Sequence, residues 1–233
     1  FLPGLAESAA ALAHSVCPEC REKLVRGDQY VEENLKVNIR KLSIYVIPDM
    51  FGNAGKEFLD EFTIDDEGFL FDRLRQLYYG EKTAEIIAKD LGVDARLTFV
   101  IGNKEQAKFR IWRVIPEVRY LRLVEVIRAF NRAKRVVFSG DKNVSFNELY
   151  DILPMEKISK GTDPKYFIEF FESMLQRIPL SKSYVYSVFL RSLRCRRYES
   201  CINPLTGRYS LEELSLLAET YIYAMSLLNI MDN

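Results

Sequence analysis

The chain has 233 residues, 33 basic against 33 acidic side chains, 48 % hydrophobic and 28 % charged content. That is enough apolar material for one large or two small globular domains. The zero formal net charge excludes a chain whose total charge alone would select a nucleic acid or an acidic partner, and the absence of any run of about eighteen apolar residues excludes a transmembrane helix.

Charge is instead distributed by segment. Residues 54–94 carry eleven acidic and five basic side chains, 104–135 ten basic and three acidic, and 181–208 six basic and one acidic. Such segregation predicts faces of opposite preference, and the competing reading is that charged helices simply need solvated sides. The opening FLPGLAESAAALAHSV has no basic leading region and reads as an amphipathic helix rather than a signal peptide. The chain begins with Phe1 rather than Met, so it reads as a fragment. Four cysteines in this length do not make a disulfide scaffold and predict a reducing, cytoplasmic setting.

In chain order, residues 8–24 read as a helix interrupted or capped near Cys17-Pro18, with Gly27 ending the short run that follows. Val37, Ile39, Leu42, Ile44 and Val46 alternate as a strand, with one slip near Arg40-Lys41 that fits a bulge and Pro48 as its stop. Residues 55–62 and 69–91 follow the helical period. Two apolar runs, 97–101 and 107–114, flank Gly102-Asn103 and predict a β-hairpin. Trp112 lies opposite Ile111 and is expected to pack beneath a helix, the alternative being exposure at a partner surface. Pro116 is expected to open a helix running to about Lys134, with Arg122, Arg128, Arg132 and Arg135 on its polar side, and Val136 to Phe138 reads as a short strand.

This order is α+β, mostly α: a small antiparallel sheet, compatible with a ferredoxin-like or RRM-like arrangement. A polar break at 140–144 predicts a boundary between an α+β domain, 1–140, and a helical bundle, 141–233. Within the bundle, helices are expected over 146–153, 164–177, 182–198 and, behind a Ser210/Glu213 capping box, 211–231, while residues 155–163 read as a loop.

Catalytic chemistry finds little footing. His14 is the single histidine, set among alanines, and no phosphate-binding glycine loop or HExxH motif is present. Asp65, Asp66 and Glu67 cluster as loop and helix-start carboxylates, so the chain is expected not to be an enzyme. Cys17 and Cys20 have the spacing by which two thiolates reach one zinc ion. The other two ligands would be Cys195 and Cys201 or cysteines outside the chain, and the alternative is four reduced structural thiols. A redox role of the thioredoxin kind is disfavoured because no βαβ context follows.

Arg191, Arg194, Arg196 and Arg197 crowd within two helical turns, and Arg128, Arg132, Lys134 and Arg135 make a second basic group. Clustered arginine with few acids suits phosphate-backbone contacts, with Tyr184 and Tyr198 available for stacking; arginine stems packed on a solvated helix are the competing reading.

Two blocks resemble a known family. Cys17-x-x-Cys20-x-x-Lys23-Leu24-x-x-Gly27, then Asn34-Leu35 and a strand ending Tyr45-Val46-Ile47-Pro48, is similar to the large subunit of type I-B CRISPR interference complexes, the Csh or TM-type family. Leu97-Thr98-Phe99-Val100 with Phe109-x-Ile111-x-x-x-Ile115-x-x-Val118 resembles a second block of that family. The motifs cover roughly residues 15–135. The chain departs from the family where Arg119-Tyr120-Leu121-Arg122 follows Val118, and it is much shorter. The resemblance implies a non-catalytic scaffold that contacts crRNA and target DNA, other effector subunits and a helicase–nuclease. The alternative is a protein–protein interaction module that never touches nucleic acid.

Overall fold

The computed structural model describes residues 17–49, 96–105, 108–138, 144–159 and 161–232. The helices expected over 55–62 and 69–91, the segment before Cys17, His14, and the Asp65, Asp66, Glu67 cluster lie outside the described residues. The chain is α+β and mostly helical, and its backbone divides into two compact units, 1–117 and 118–233. The polar break near residue 140 therefore lies inside the second unit, and the helix that precedes it belongs with the C-terminal bundle.

In the first unit, helix α1 (Pro18–Asn34) starts with Pro18 at a position where its missing N–H costs nothing. It runs on through Gly27, so that glycine does not end it. Strands β1 (Lys36–Ile39), β2 (Leu42–Asp49), β3 (Arg96–Glu105) and β4 (Lys108–Arg119) form one sheet in the order β1-β2-β3-β4. This sequential order differs from the interleaved ferredoxin-like or RRM-like one.

The slip expected as a bulge is a reversal. Arg40 takes φ 53° and the chain folds back, pairing Ile39 with Leu42 and Val37 with Ile44. Ile44 pairs on with Ile101, and Val46 with Phe99. Because side chains alternate across a strand, Val37, Ile39, Leu42, Ile44, Val46, Leu97, Phe99 and Ile101 share one face, and all are buried. On the other face Tyr45 donates to Glu32 of α1 at 2.6 Å, and Glu32 also takes Lys36 at 3.0 Å.

Gly102 does not turn the second hairpin. It pairs with Ser43 inside β3, and the strands continue past it. Pro116 likewise sits inside β4 rather than opening a helix. Trp112 is half-buried, with the Arg110 guanidinium 4.6 Å from its ring centre.

The second unit is a helical bundle: α2 (Tyr120–Val137), α3 (Phe146–Ile152), α4 (Lys165–Gln176), α5 (Lys182–Arg197) and α6 (Leu211–Leu227). Residues 136 and 137 complete α2 instead of forming a strand. The expected loop holds a small hairpin, β5 (Glu156–Ile158) with β6 (Gly161–Asp163), closed by Gly161 at φ 104°, a conformation natural to glycine. A parallel pair, β7 (Leu180–Ser181) with β8 (Met231–Asp232), joins the entry of α5 to the chain beyond α6.

Fully buried aromatics fix the packing. The ring centre of Phe146 lies 5.1 Å from that of Phe130 and 4.8 Å from that of Phe171, in edge contacts that suit ring quadrupoles. Tyr221 meets Phe130 at 5.4 Å, and its hydroxyl donates to the Ser145 carbonyl at 2.6 Å. The capping box expected from Ser210 and Glu213 is present at the start of α6.

A polar knot closes α3. The buried Asn203 amide nitrogen lies 3.0, 3.0 and 2.9 Å from the carbonyl oxygens of Tyr150, Asp151 and Leu153. Its own carbonyl accepts from the Leu205 N–H at 3.1 Å. Thr206 adds a bond to the Asp151 carbonyl at 2.9 Å, and the Tyr209 hydroxyl donates to the Asp151 carboxylate at 3.0 Å. The last carbonyls of a helix lack partners within it, and here a distant side chain supplies them.

Candidate functional site

Helix α5 contains no acidic residue. Ser181 caps its start by accepting from the Tyr184 N–H, and Arg194, Arg196 and Arg197 occupy its last turn, where positive charge complements the helix dipole. Residues three apart lie along one side of a helix. Arg191, Arg194 and Arg197 accordingly form an exposed ridge, flanked by Tyr186 and Leu190, which are 46 % and 52 % exposed.

Arg196 points elsewhere. It is half-buried, and its Nε donates to the Tyr209 carbonyl at 2.8 Å, so it braces the bundle instead of joining the ridge. Arg191 is oriented by a residue the sequence does not single out. Its guanidinium donates to the Tyr166 hydroxyl at 2.7 Å, which in turn donates to Glu156 at 3.0 Å. Sequence spacing carries no signal of a partner 25 positions away. Of the two tyrosines expected to stack on bases, Tyr198 is 71 % exposed beside Arg197. Tyr184 is half-buried, and its hydroxyl is held by Glu169. Burial, together with that carboxylate, raises its pKa.

A second basic stripe runs along α2. Arg128, Arg132 and Arg135 are exposed at i, i+4 and i+7 and share one side, while Lys134 is half-buried on another. Arg122, expected among them, is 5 % exposed. Its Nε donates to the Met174 carbonyl at 2.7 Å and its Nη1 to Glu125 at 2.9 Å. Glu125 also receives Arg177 at 2.8 Å. Burial opposes the Glu125 charge, but the hydrogen bonds from Arg122 and Arg177 prevail and hold its pKa below the usual carboxylate value. A depressed carboxyl pKa stabilises the fold above the unfolded value, about 4.3, and that stabilisation is lost as pH falls through the folded value. Urea denaturation between pH 6 and pH 3 is expected to show a shallower acid-side loss in Glu125→Gln than in the parent chain; equal slopes would exclude this linkage.

The cysteines separate into two kinds. Cys195 and Cys201 form a disulfide, so the expectation of four reduced thiols fails, and these two are not available to complete a zinc set with Cys17 and Cys20. The bridge ties the end of α5 to the turn after it, a turn that five intervening residues allow to close. Its reduction is expected to lower the unfolding free energy by about 2 kcal/mol by restoring freedom to the unfolded loop. Denaturation with and without a phosphine reductant, on the parent and on Cys195→Ser/Cys201→Ser, measures this.

Cys17 and Cys20 are free and exposed. Cys17 is the N-cap of α1, and its sulfur accepts the Cys20 N–H at 3.3 Å. That backbone bond, with a further bond from the Cys20 thiol, lowers the Cys17 pKa, and the same thiol bond raises that of Cys20. Among the described residues no group of three or more histidine, cysteine or acidic side chains is placed to hold a metal ion. The pair supplies two of the four donors of a tetrahedral zinc site. Among the described residues, no helix is long and apolar enough to cross a membrane.

With this geometry in place, comparison with known proteins adds one match. The family model described as the central domain of CRISPR-associated protein TM1802 (cas_TM1802) matches residues 1–118. No curated protein matches the chain.

Proposed function

Because the chain belongs to the CRISPR-associated TM1802 family through its central domain, we propose that it is part of the large subunit of a type I-B crRNA-guided interference complex, acting there as a non-catalytic scaffold in antiviral defence. The matched region accounts for the first unit and brings a CRISPR-associated role. The second unit supplies the contact surface in this reading. The observation that carries it is the exposed basic stripe Arg128, Arg132 and Arg135 on α2, together with the ridge Arg191, Arg194 and Arg197 on an acid-free α5. Guanidinium groups spaced along a helix meet phosphate oxygens by charge-assisted hydrogen bonds, and such contacts carry no sequence preference of their own. They suit a subunit that holds crRNA or target DNA while base pairing does the reading. Other effector subunits and the helicase–nuclease are the protein partners this role entails, in a cytoplasmic complex.

The test is a gel shift of the chain with single- and double-stranded DNA and RNA at 50 and 200 mM salt, with magnesium and manganese controls for cleavage. Salt-sensitive binding without cleavage is the expected result, because released counterions make phosphate contacts steeply salt-dependent. Binding absent at both salts would favour the second reading, a protein–protein module, for which exposed Tyr186 and Leu190 beside the arginines are the supporting observation. Metal-dependent cleavage would overturn the non-catalytic assignment.

A further inference from the structure

The Cys17–Cys20 pair takes no part in the function proposed for the basic faces. Cys195 and Cys201 are joined to one another and are not donors for this pair. A disulfide needs two sulfurs, and the pair supplies two. Both cysteines are exposed. They are three residues apart in the first turn of α1, and the Cys20 N–H reaches the Cys17 sulfur at 3.3 Å. Helix geometry puts residues at this spacing about 5 Å apart between Cα atoms, inside the range a disulfide spans. Pro18 at the first helical position and the Cys17 cap hold the two residues in this relation.

We propose that Cys17 and Cys20 form a reversible dithiol–disulfide site that exchanges with low-molecular-weight disulfides of the glutathione class. In the first step the Cys17 thiolate attacks one sulfur of the small disulfide. A protein–glutathione bond forms, the original S–S bond breaks, and one glutathione thiolate leaves. In the second step Cys20 gives up its proton and attacks the Cys17 sulfur. The Cys17–Cys20 bond forms, the mixed disulfide breaks, and the second glutathione thiolate leaves. The protein pair loses two electrons, the small disulfide gains them, and the two thiol protons end on the two departing thiolates. Exposure gives the small disulfide access, and proximity makes the second step intramolecular, so the mixed disulfide does not accumulate.

The experiment treats the full chain with glutathione disulfide, blocks residual thiols by alkylation, and maps the cysteine peptides by mass spectrometry without reduction. The expected product is the Cys17–Cys20 disulfide, reopened by excess reduced glutathione, with the Cys195–Cys201 bridge unchanged. In Cys20→Ser the reaction is expected to halt at the mixed disulfide, raising glutathione occupancy at Cys17 by about tenfold over the parent chain. Equal glutathione occupancy in the two proteins would overturn the proposal. So would bridges from Cys17 or Cys20 to Cys195 or Cys201, or thiols that stay fully alkylatable. The parent peptide map decides the question by itself if the variant fails to fold.

Discussion

Replacing Arg128, Arg132 and Arg135 together with glutamate is expected to weaken DNA or RNA binding by about 100-fold or more at 50 mM salt, and to lower the salt slope by about three. The three side chains are exposed on one side of α2, so each reversal replaces an attraction to a phosphate with a repulsion, and all three act on the same stretch of backbone. Exposed substitutions of this kind change stability by only about half a kcal/mol each, so a thermal melt separates lost binding from lost fold. The α5 ridge gives an internal comparison. Arg194→Glu/Arg197→Glu is expected to weaken binding in the same way. Arg196→Gln, which disturbs the bond to the Tyr209 carbonyl, is expected to act on stability instead. If the triple variant binds as the parent does, the α2 stripe is not a phosphate surface and the protein-interaction reading gains.

The second large effect is on folding. Asn203→Ala is expected to reduce the unfolding free energy by about 2–4 kcal/mol. The side chain is buried, with 1 % exposure, and faces three helix-end carbonyls that no other described bond satisfies except at Asp151. Alanine leaves the Tyr150 and Leu153 oxygens without a described donor and the Asp151 oxygen with Thr206 alone. Asn203→Asp is expected to be at least as damaging, since a carboxylate would set acceptor against acceptor. Urea denaturation at neutral pH, followed by circular dichroism, measures both. A loss below about 1 kcal/mol for alanine would mean that water enters and replaces the amide.

Periodicity made much of this fold legible. The strands of the sheet, the helices of the bundle and the capping box at Ser210 all follow from apolar spacing and cap chemistry. What failed depended on partners distant in sequence or on short turns. Arg40-Lys41 looked like a bulge because a two-residue reversal leaves alternation almost intact on both sides. Gly102 looked like a turn, but it sits where the strand passes Ser43 and needs no side chain. The basic groups were visible as composition, and their sorting was not. A count of arginines cannot separate Arg194, exposed on its ridge, from Arg196, drawn inward to a carbonyl thirteen residues on. Nor can it separate Arg132 from Arg122, whose guanidinium is buried against the end of α4. The cysteine spacing suggested zinc, and the closure of Cys195 with Cys201, which takes those two out of the set, is not legible in that spacing.

The parallel clasp between Leu180–Ser181 and Met231–Asp232 makes the bundle a convenient place for a spectroscopic reporter. Leu180 donates its N–H to the carbonyl of the fully buried Ile230 at 2.8 Å, so a dye attached just after Asp232 is anchored at the entry of α5. The helix rises 1.5 Å per residue, which places such a dye roughly 20 Å along the axis from Arg194. An oligonucleotide carrying a quencher and lying on the arginine ridge would dim it, giving binding kinetics in real time without altering any residue of either basic face.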